Sequence, residues 1–163
     1  MLIEEITARE CQDMLDRCGF GRLACARDNQ PYVVPVYFAY QPGRLYGYST
    51  LGKKIEWMRA NPKVCVEVDE VASHFVWTSV VLRGRFQELP NTPDFEFERL
   101  NAQMLLEKRM LWWQIASAAG QLQGLRETQQ PVFYTIHIDS ITGHRAIPDP
   151  IDSQFSRIAE VQA

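Results

Sequence analysis

Apolar positions along this chain keep two different periods, and the places where the period changes divide it into elements. Between Thr7 and Gly19, Cys11, Met14, Leu15 and Cys18 recur at helical intervals, which predicts a helix of about three turns. Thr7-Ala-Arg-Glu10 has the spacing of a capping box at its start, and Gly19 supplies the stop. From Phe20 the period shortens. Phe20 to Arg27 and Tyr32 to Tyr40 read as strands joined by the turn Asp28-Asn29-Gln30-Pro31, a hairpin. After the turn Gln41-Pro42-Gly43-Arg44, Leu45 to Ser49 is a third strand with Tyr46 and Tyr48 on one face. Lys53 to Ala60 returns to near-helical spacing through Ile55, Trp57 and Met58, and ends at Asn61-Pro62. Val64, Val66 and Val68 then alternate with Cys65, Glu67 and Asp69, the pattern of a strand with one core face. Val76 to Gln87 is a long fifth strand in which Gly84 marks a bulge. Asp94 to about Leu125 carries Leu100, Met104, Leu105, Met110, Leu111, Trp112 and Ile115 in helical rhythm, as one bent helix or two. Val132 to Ile141 alternates again as a sixth strand.

Six strands joined mostly as antiparallel hairpins, with helices after the third and the fifth, predict a mainly β fold with flanking helices: a closed or split barrel. At 163 residues and 46% hydrophobic composition, the chain is long enough for one domain with a sizeable core and short for two. The barrel domain is placed at residues 1–147, and the proline-punctuated polar stretch 148–163 is a C-terminal tail. Two strand residues break the pattern. Pro35 cannot donate to a ladder, so its strand lies at an edge, is bulged, or faces a ligand; Gly47 allows close approach of a backbone or a ligand.

Charge and chemistry narrow the function classes. Seventeen basic against 20 acidic residues give a net charge of -3, which argues against a surface that wraps a polyanion while permitting a local basic pocket. Cys11, Cys18, Cys25 and Cys65 show no zinc-type spacing and no secretory leader precedes them, so they read as reduced core thiols of a cytoplasmic protein. No apolar run approaches the ~20 residues of a membrane span. His74, His137 and His144 are too scattered for a metal site or triad, and Asp69 and Glu70, adjacent on a strand, point to opposite faces. No dinucleotide fingerprint follows a strand, and no metalloprotease or nucleophile-elbow motif is present. No catalytic residue is assigned.

One turn gathers chemistry. In Leu45-Tyr-Gly-Tyr-Ser-Thr-Leu-Gly-Lys-Lys-Ile-Glu-Trp57 a strand breaks at Ser49-Thr50 and a helix begins near Gly52. Helix N-terminal amides with Ser, Thr and Lys side chains supply donors to a phosphate from several sides, although a solvated lysine pair is an alternative reading of the same residues.

Together with Tyr32-Val-Val-Pro-Val-Tyr-Phe-Ala-Tyr40, Asn61-Pro-Lys-Val-Cys-Val-Glu-Val-Asp69 and Trp77-Thr-Ser-Val-Val-Leu-Arg-Gly-Arg-Phe86, this segment resembles the FMN-binding split-barrel family of pyridoxamine 5'-phosphate oxidase-like proteins, in particular its nitroimidazole-resistance-like branch. The resemblance covers roughly Thr7 to Ile147 and implies a six-stranded antiparallel split barrel that dimerises, with FMN in clefts between the subunits. It implies that Ser49, Thr50, Lys53 and Lys54 bind the FMN phosphate, and that Val34, Pro35, Val36 and Tyr37 line the ring with Tyr48, which stands where many members of that branch have histidine. Trp77, Thr78, Ser79 and Val80 would reach the cofactor from the second subunit, and His144 and Arg145 would approach the flavin or a small anionic substrate. The vitamin-oxidising members end in an arginine-rich segment; here Ile141-Thr-Gly-His-Arg-Ala-Ile-Pro148 has one arginine, so efficient oxidation of pyridoxamine phosphate is not expected. The expectation is an FMN-dependent oxidoreductase acting on a small molecule, a homodimer without nucleic-acid or membrane partners; the alternative is a flavin- or haem-binding module without turnover. Stacking of oligonucleotides on Tyr32, Tyr37, Tyr46 and Tyr48 is disfavoured.

Overall fold

The computed structural model describes residues 1–109 and 132–149. In chain order the elements are β1 (Leu2–Glu5), α1 (Ala8–Cys18), β2 (Phe20–Arg27), β3 (Gln30–Gln41), β4 (Arg44–Ser49), α2 (Lys53–Ala60), β5 (Lys63–Ser73) and β6 (Val76–Leu89), then a single 3-10 turn (Pro93–Phe95), α3 (Glu96–Lys108) and β7 (Val132–Ile147). The strands are ordered β1-β7-β4-β3-β2-β5-β6, and β6 also pairs with β7. Six strands therefore close into a ring, all pairs antiparallel. β1 lies outside the ring, against the far end of β7, with Leu2 opposite Ile147 and Glu5 opposite His144.

Turn chemistry sets the hairpins. Asp28 and Asn29 adopt φ of 51° and 60°, the left-handed pair of a two-residue hairpin turn that short polar side chains tolerate. The ring is split on one side, because β3 and β4 pair only from Phe38–Gly47 to Gln41–Arg44. Beyond that point β4 follows β7, with Tyr48 opposite Phe133 and Ser49 opposite Val132. The first part of β3 is left with β2 as its strand partner, and Pro35, opposite Arg22, falls in this one-sided stretch, as its missing N–H requires.

The barrel interior is filled by the inward positions of the strands, among them Leu23, Val36, Phe38, Val66, Val80, Leu82 and Ile136. Met14 and Leu15 of α1, and Ile55 and Met58 of α2, complete this core, each fully buried; each is worth about 1.5–3 kcal/mol of transfer free energy. A second, smaller cluster lies outside the ring, where Ala102 and Leu106 of α3 cover Ala39, Tyr46, Leu89 and Phe133. Gly47 serves packing: a Cβ there would stand 2.3 Å from the ring of Tyr134, so what approaches it closely is a core tyrosine. Burial pushes that tyrosine's hydroxyl far above its ordinary value. At Gly84 the β6–β7 register shifts, as the sequence pattern predicts, and a Cβ would meet the His137 carbonyl oxygen at 2.3 Å.

Three elements differ from expectation. β1 has no counterpart in the sequence pattern. β7 runs to Ile147 rather than Ile141, so His144 and Arg145 are strand residues. The helix expected from Asp94 begins as the 3-10 turn and continues as α3; its expected continuation with Trp112 and Trp113, and the tail from Pro150, lie outside the described residues. Among the described residues no helix is long and apolar enough to cross a membrane.

Candidate functional site

The start of α2 is built to be open. Its N-cap is Gly52, which has no side chain to cap the first-turn amides, so the N–H groups that a helix leaves unsatisfied face outward at Lys53 and Lys54. The approach from β4 brings Ser49 and Thr50 to the same turn, where the Ser49 hydroxyl donates to the Thr50 carbonyl oxygen at 3.0 Å. The two lysines are held differently. Lys53 is exposed, and its Nζ lies 4.5 Å from the centroid of the Tyr32 ring and 4.5 Å from that of Trp57. Lys54 is half-buried, and desolvation pushes its ammonium below the ordinary lysine value. Among the described residues neither lysine has a carboxylate within ion-pair distance. What stands near them is the buried thiol of Cys25, which burial raises and which Lys54 and then Lys53 pull back down.

A desolvated cation without a counter-anion, beside uncapped helix amides and two hydroxyls, is the donor set of a phosphate monoester. The residues present fit the phosphate of a flavin nucleotide.

The β3 residues divide by face. Val36 is buried in the barrel and Val34 packs against that core, whereas Pro35 and Tyr37 are exposed on the outer side. Tyr37 packs against Phe20 with the ring centroids 4.8 Å apart and the planes inclined by 55°. A ring lying beside this stretch thus meets backbone and the outward pair. Tyr48 turns toward α3, edge-on to Phe133 at 5.2 Å, and burial raises its hydroxyl.

The remaining expected site residues form a second group across the ring. Trp77, Thr78, Ser79 and Val80 of β6 stand opposite Ala146, Arg145, His144 and Gly143 of β7. The Val80 side chain is core, leaving Trp77 and Ser79 on the opposite face. Ser79 donates to Glu67 at 3.0 Å, and Glu67 accepts from Arg22 at 3.2 Å; Arg22 also pairs with Asp69. Arg145 is engaged by Glu4 at 2.6 Å and Glu10 at 3.2 Å. A cleft of about 490 Å³ opens beside Trp77, Thr78 and Arg145. In the ring, β2 and β5 lie between β3 and β6 on one side, and β4 lies between β3 and β7 on the other.

Asp69 and Glu70 are structural, as the strand geometry suggests: Asp69 pairs with Arg22, and Arg17 grips Glu70 through two bonds of 2.9 and 2.8 Å, holding its carboxyl below the usual range. The His137 Nε2–H donates to Gln87 Oε1 at 2.7 Å inside the sheet. Among the described residues no group of His, Cys, Asp and Glu could hold a metal ion. The sequence offers Tyr32 only as a stacking surface for bases and Trp57 only as an apolar position of α2; the contact of both rings with Lys53 is new, although Trp57 stands four positions after Lys53 on one helix.

Comparisons with known proteins agree with this architecture. Residues 7–145 match the family model described as pyridoxamine 5'-phosphate oxidase. An uncharacterised protein of Rhizobium meliloti is 40% identical over 146 residues, covering 90% of this chain and 97% of its own length. The crystal structure of a FAD-binding protein from Mesorhizobium loti is 42% identical with a TM-score of 0.72, covering 90% of this chain and 99% of that one. A FAD and haem binding protein from Mycobacterium smegmatis, 20% identical, shares the fold with a TM-score of 0.61 over 93% of this chain and 78% of its own.

Proposed function

This chain belongs to the pyridoxamine 5'-phosphate oxidase family, and we propose that it is a flavin-dependent oxidoreductase of a small molecule that holds FMN at the open start of α2. The observation that carries this reading is Lys54, a half-buried ammonium with no carboxylate partner among the described residues. Such a charge is costly unless an anion meets it. In this reading Lys53, Lys54, the first-turn amides and the Ser49 and Thr50 hydroxyls grip the phosphate. The one-sided stretch of β3, with Val34, Pro35, Val36 and Tyr37, orients the ring and excludes water from one face. Bound there, the isoalloxazine supplies the hydride or electron transfer that no side chain of this protein can perform.

The second group of residues completes the site from another copy of the chain. Because β2 and β5 stand between β3 and β6, a partner packed across the β2–β5 face brings its Trp77 and Ser79 toward the β3 edge of the first. The product is a homodimer with two equivalent sites. His144 of β7, opposite Ser79, is exposed and is the candidate for contact with an anionic substrate; Arg145, already shared by two carboxylates, is the weaker one.

FAD is the second reading, favoured by the 42% identical Mesorhizobium loti protein described as FAD-binding; its phosphates would use the same lysines. The test is an absorbance spectrum of freshly purified protein followed by titration with FMN, FAD and riboflavin, with light scattering for the mass. Flavin bands, tightest binding of FMN and about twice 18.8 kDa are expected. Tighter FAD replaces FMN by FAD. A Soret band with no flavin affinity, or a monomer with full flavin affinity, overturns the cofactor or the shared site respectively.

A further inference from the structure

We propose that Tyr32 and Trp57 are positioning residues of the phosphate site, whose ring faces hold the Lys53 ammonium at the open start of α2 without neutralising it. This rests on the flavin reading above and assigns a role to two residues outside it. Trp57 lies one turn after Lys53 on α2, and Tyr32 reaches the same point from the one-sided stretch of β3, opposite Cys25 in the β2–β3 pairing. The rings are 5.5 Å apart and inclined by 57°, and Nζ stands 4.5 Å from each centroid.

A long lysine side chain on a surface samples many rotamers and loses that freedom when a ligand fixes it. A carboxylate partner would fix it beforehand, but would also cancel the charge that a phosphate needs. An aromatic face attracts the cation through its quadrupole and leaves the full positive charge in place. Two such faces pre-order the donor while its N–H groups stay available. Lys54, one residue on, is fixed by burial instead, so the neighbouring lysines are pre-ordered by different means.

The experiment compares FMN and riboflavin binding in the full-length wild type, Tyr32→Leu, Trp57→Leu and the conservative Tyr32→Phe and Trp57→Phe, each checked for an unchanged cooperative melt. Each leucine variant is expected to weaken FMN about two- to fivefold and leave riboflavin unchanged; the phenylalanine variants recover most of the loss. In a Lys53→Ala background the same changes should have no further effect on FMN. Equal losses for FMN and riboflavin, or losses that persist without Lys53, overturn the inference and leave the flavin reading standing. A ligand-free readout separates the two ideas further: in protein labelled at lysine, the Lys53 side-chain methylenes should resonate upfield of other lysines and return to the common position in either leucine variant. Ordinary Lys53 shifts in the wild type overturn the inference, whereas a wild type with those upfield shifts but no affinity for FMN, FAD or riboflavin overturns the reading it rests on.

Discussion

The two helices that plug the barrel begin in opposite ways. α1 is closed by its own residues: the Thr7 N–H and hydroxyl both donate to Glu10 at 2.8 Å, and the Thr7 oxygen accepts from the Glu10 N–H at 3.3 Å. Its first-turn carboxylate also meets Arg145 at 3.2 Å. α2 has a glycine cap, no carboxylate on its lysines among the described residues, and in its first turn two cations, which the helix dipole makes unfavourable there, against one acidic residue, Glu56. Both helices bury apolar residues in the same core, Cys11, Met14 and Leu15 from α1 and Ile55 and Met58 from α2, so each is held by packing. A helix whose sequence satisfies its own terminus is finished; one whose sequence leaves the terminus open and adds positive charge is stable only because its tertiary contacts outweigh that cost, and the open end is where an anion gains most.

Breaking the open start should have the largest effect. Lys53→Ala with Lys54→Ala removes two charge-assisted contacts, each worth about 1.5–3 kcal/mol, and should weaken FMN by about a hundredfold or more while riboflavin changes little; equal losses in a fluorescence titration would exclude the lysines as the phosphate grip. Converting the open start into a closed one should come next. Gly52 has extended backbone, φ 176°, and open space around its missing Cβ, so Gly52→Asp can cap α2 without strain. The apoprotein should gain a few tenths of a kcal/mol, and FMN should bind about tenfold more weakly because the aspartate occupies the anion's place. Thr7→Ala opens the closed start in turn: about 1 kcal/mol of stability should be lost with flavin affinity unchanged, measured by urea unfolding.

The smallest effects are in pH. Glu10 has its carboxyl lowered, first by the Thr7 backbone donor, so its stabilisation is present above the ordinary carboxylate value of 4.5 and is lost as pH falls through the lower folded one. Lys54 works at the other end: its folded ammonium is lowered by burial, so between that value and the ordinary 10.5 the unfolded chain holds more protons, and stability rises with pH. Thermal melts of wild type against Lys54→Met from pH 8 to 11 should show the variant's advantage shrinking as pH rises, and a constant difference would mean that Lys54 is not desolvated.

Where a signal is local, the sequence was enough to find it. The capping box of α1, the Asp28-Asn29 hairpin, the valine alternation of β5 and the irregularity at Gly84 are each set by residues a few positions apart. β1 has no local signal, because Leu2–Glu5 does not alternate and its partner is the far end of β7. β7 read as ending at Ile141 because Ser140, Thr142, Gly143 and His144 interrupt its apolar period; the strand continues because both of its edges are paired, to β6 and to β1. At the candidate site, the cluster at the start of α2 was legible as residues on one turn. That Lys53 would sit between two rings and Lys54 beside a buried thiol was not, since Tyr32 and Cys25 arrive through strand pairing.

That same pairing has a consequence for synthesis of the chain. Leu2 is bonded into the sheet opposite Ile147, and β7 is also the strand that links β4 to β6. Emerging from the ribosome, β1 to β6 can assemble only an open sheet with two unsatisfied edges, one of them the long β6. The exposed Leu2 and Ile3 wait beside it without a strand to join. Ring closure and anchoring of β1 are one event, and it waits until Val132–Ile147 has been made. Slow, late closure of this kind leaves the nascent chain dependent on protection of its edges, and makes any product truncated before Val132 a target for aggregation or proteolysis rather than a smaller working domain.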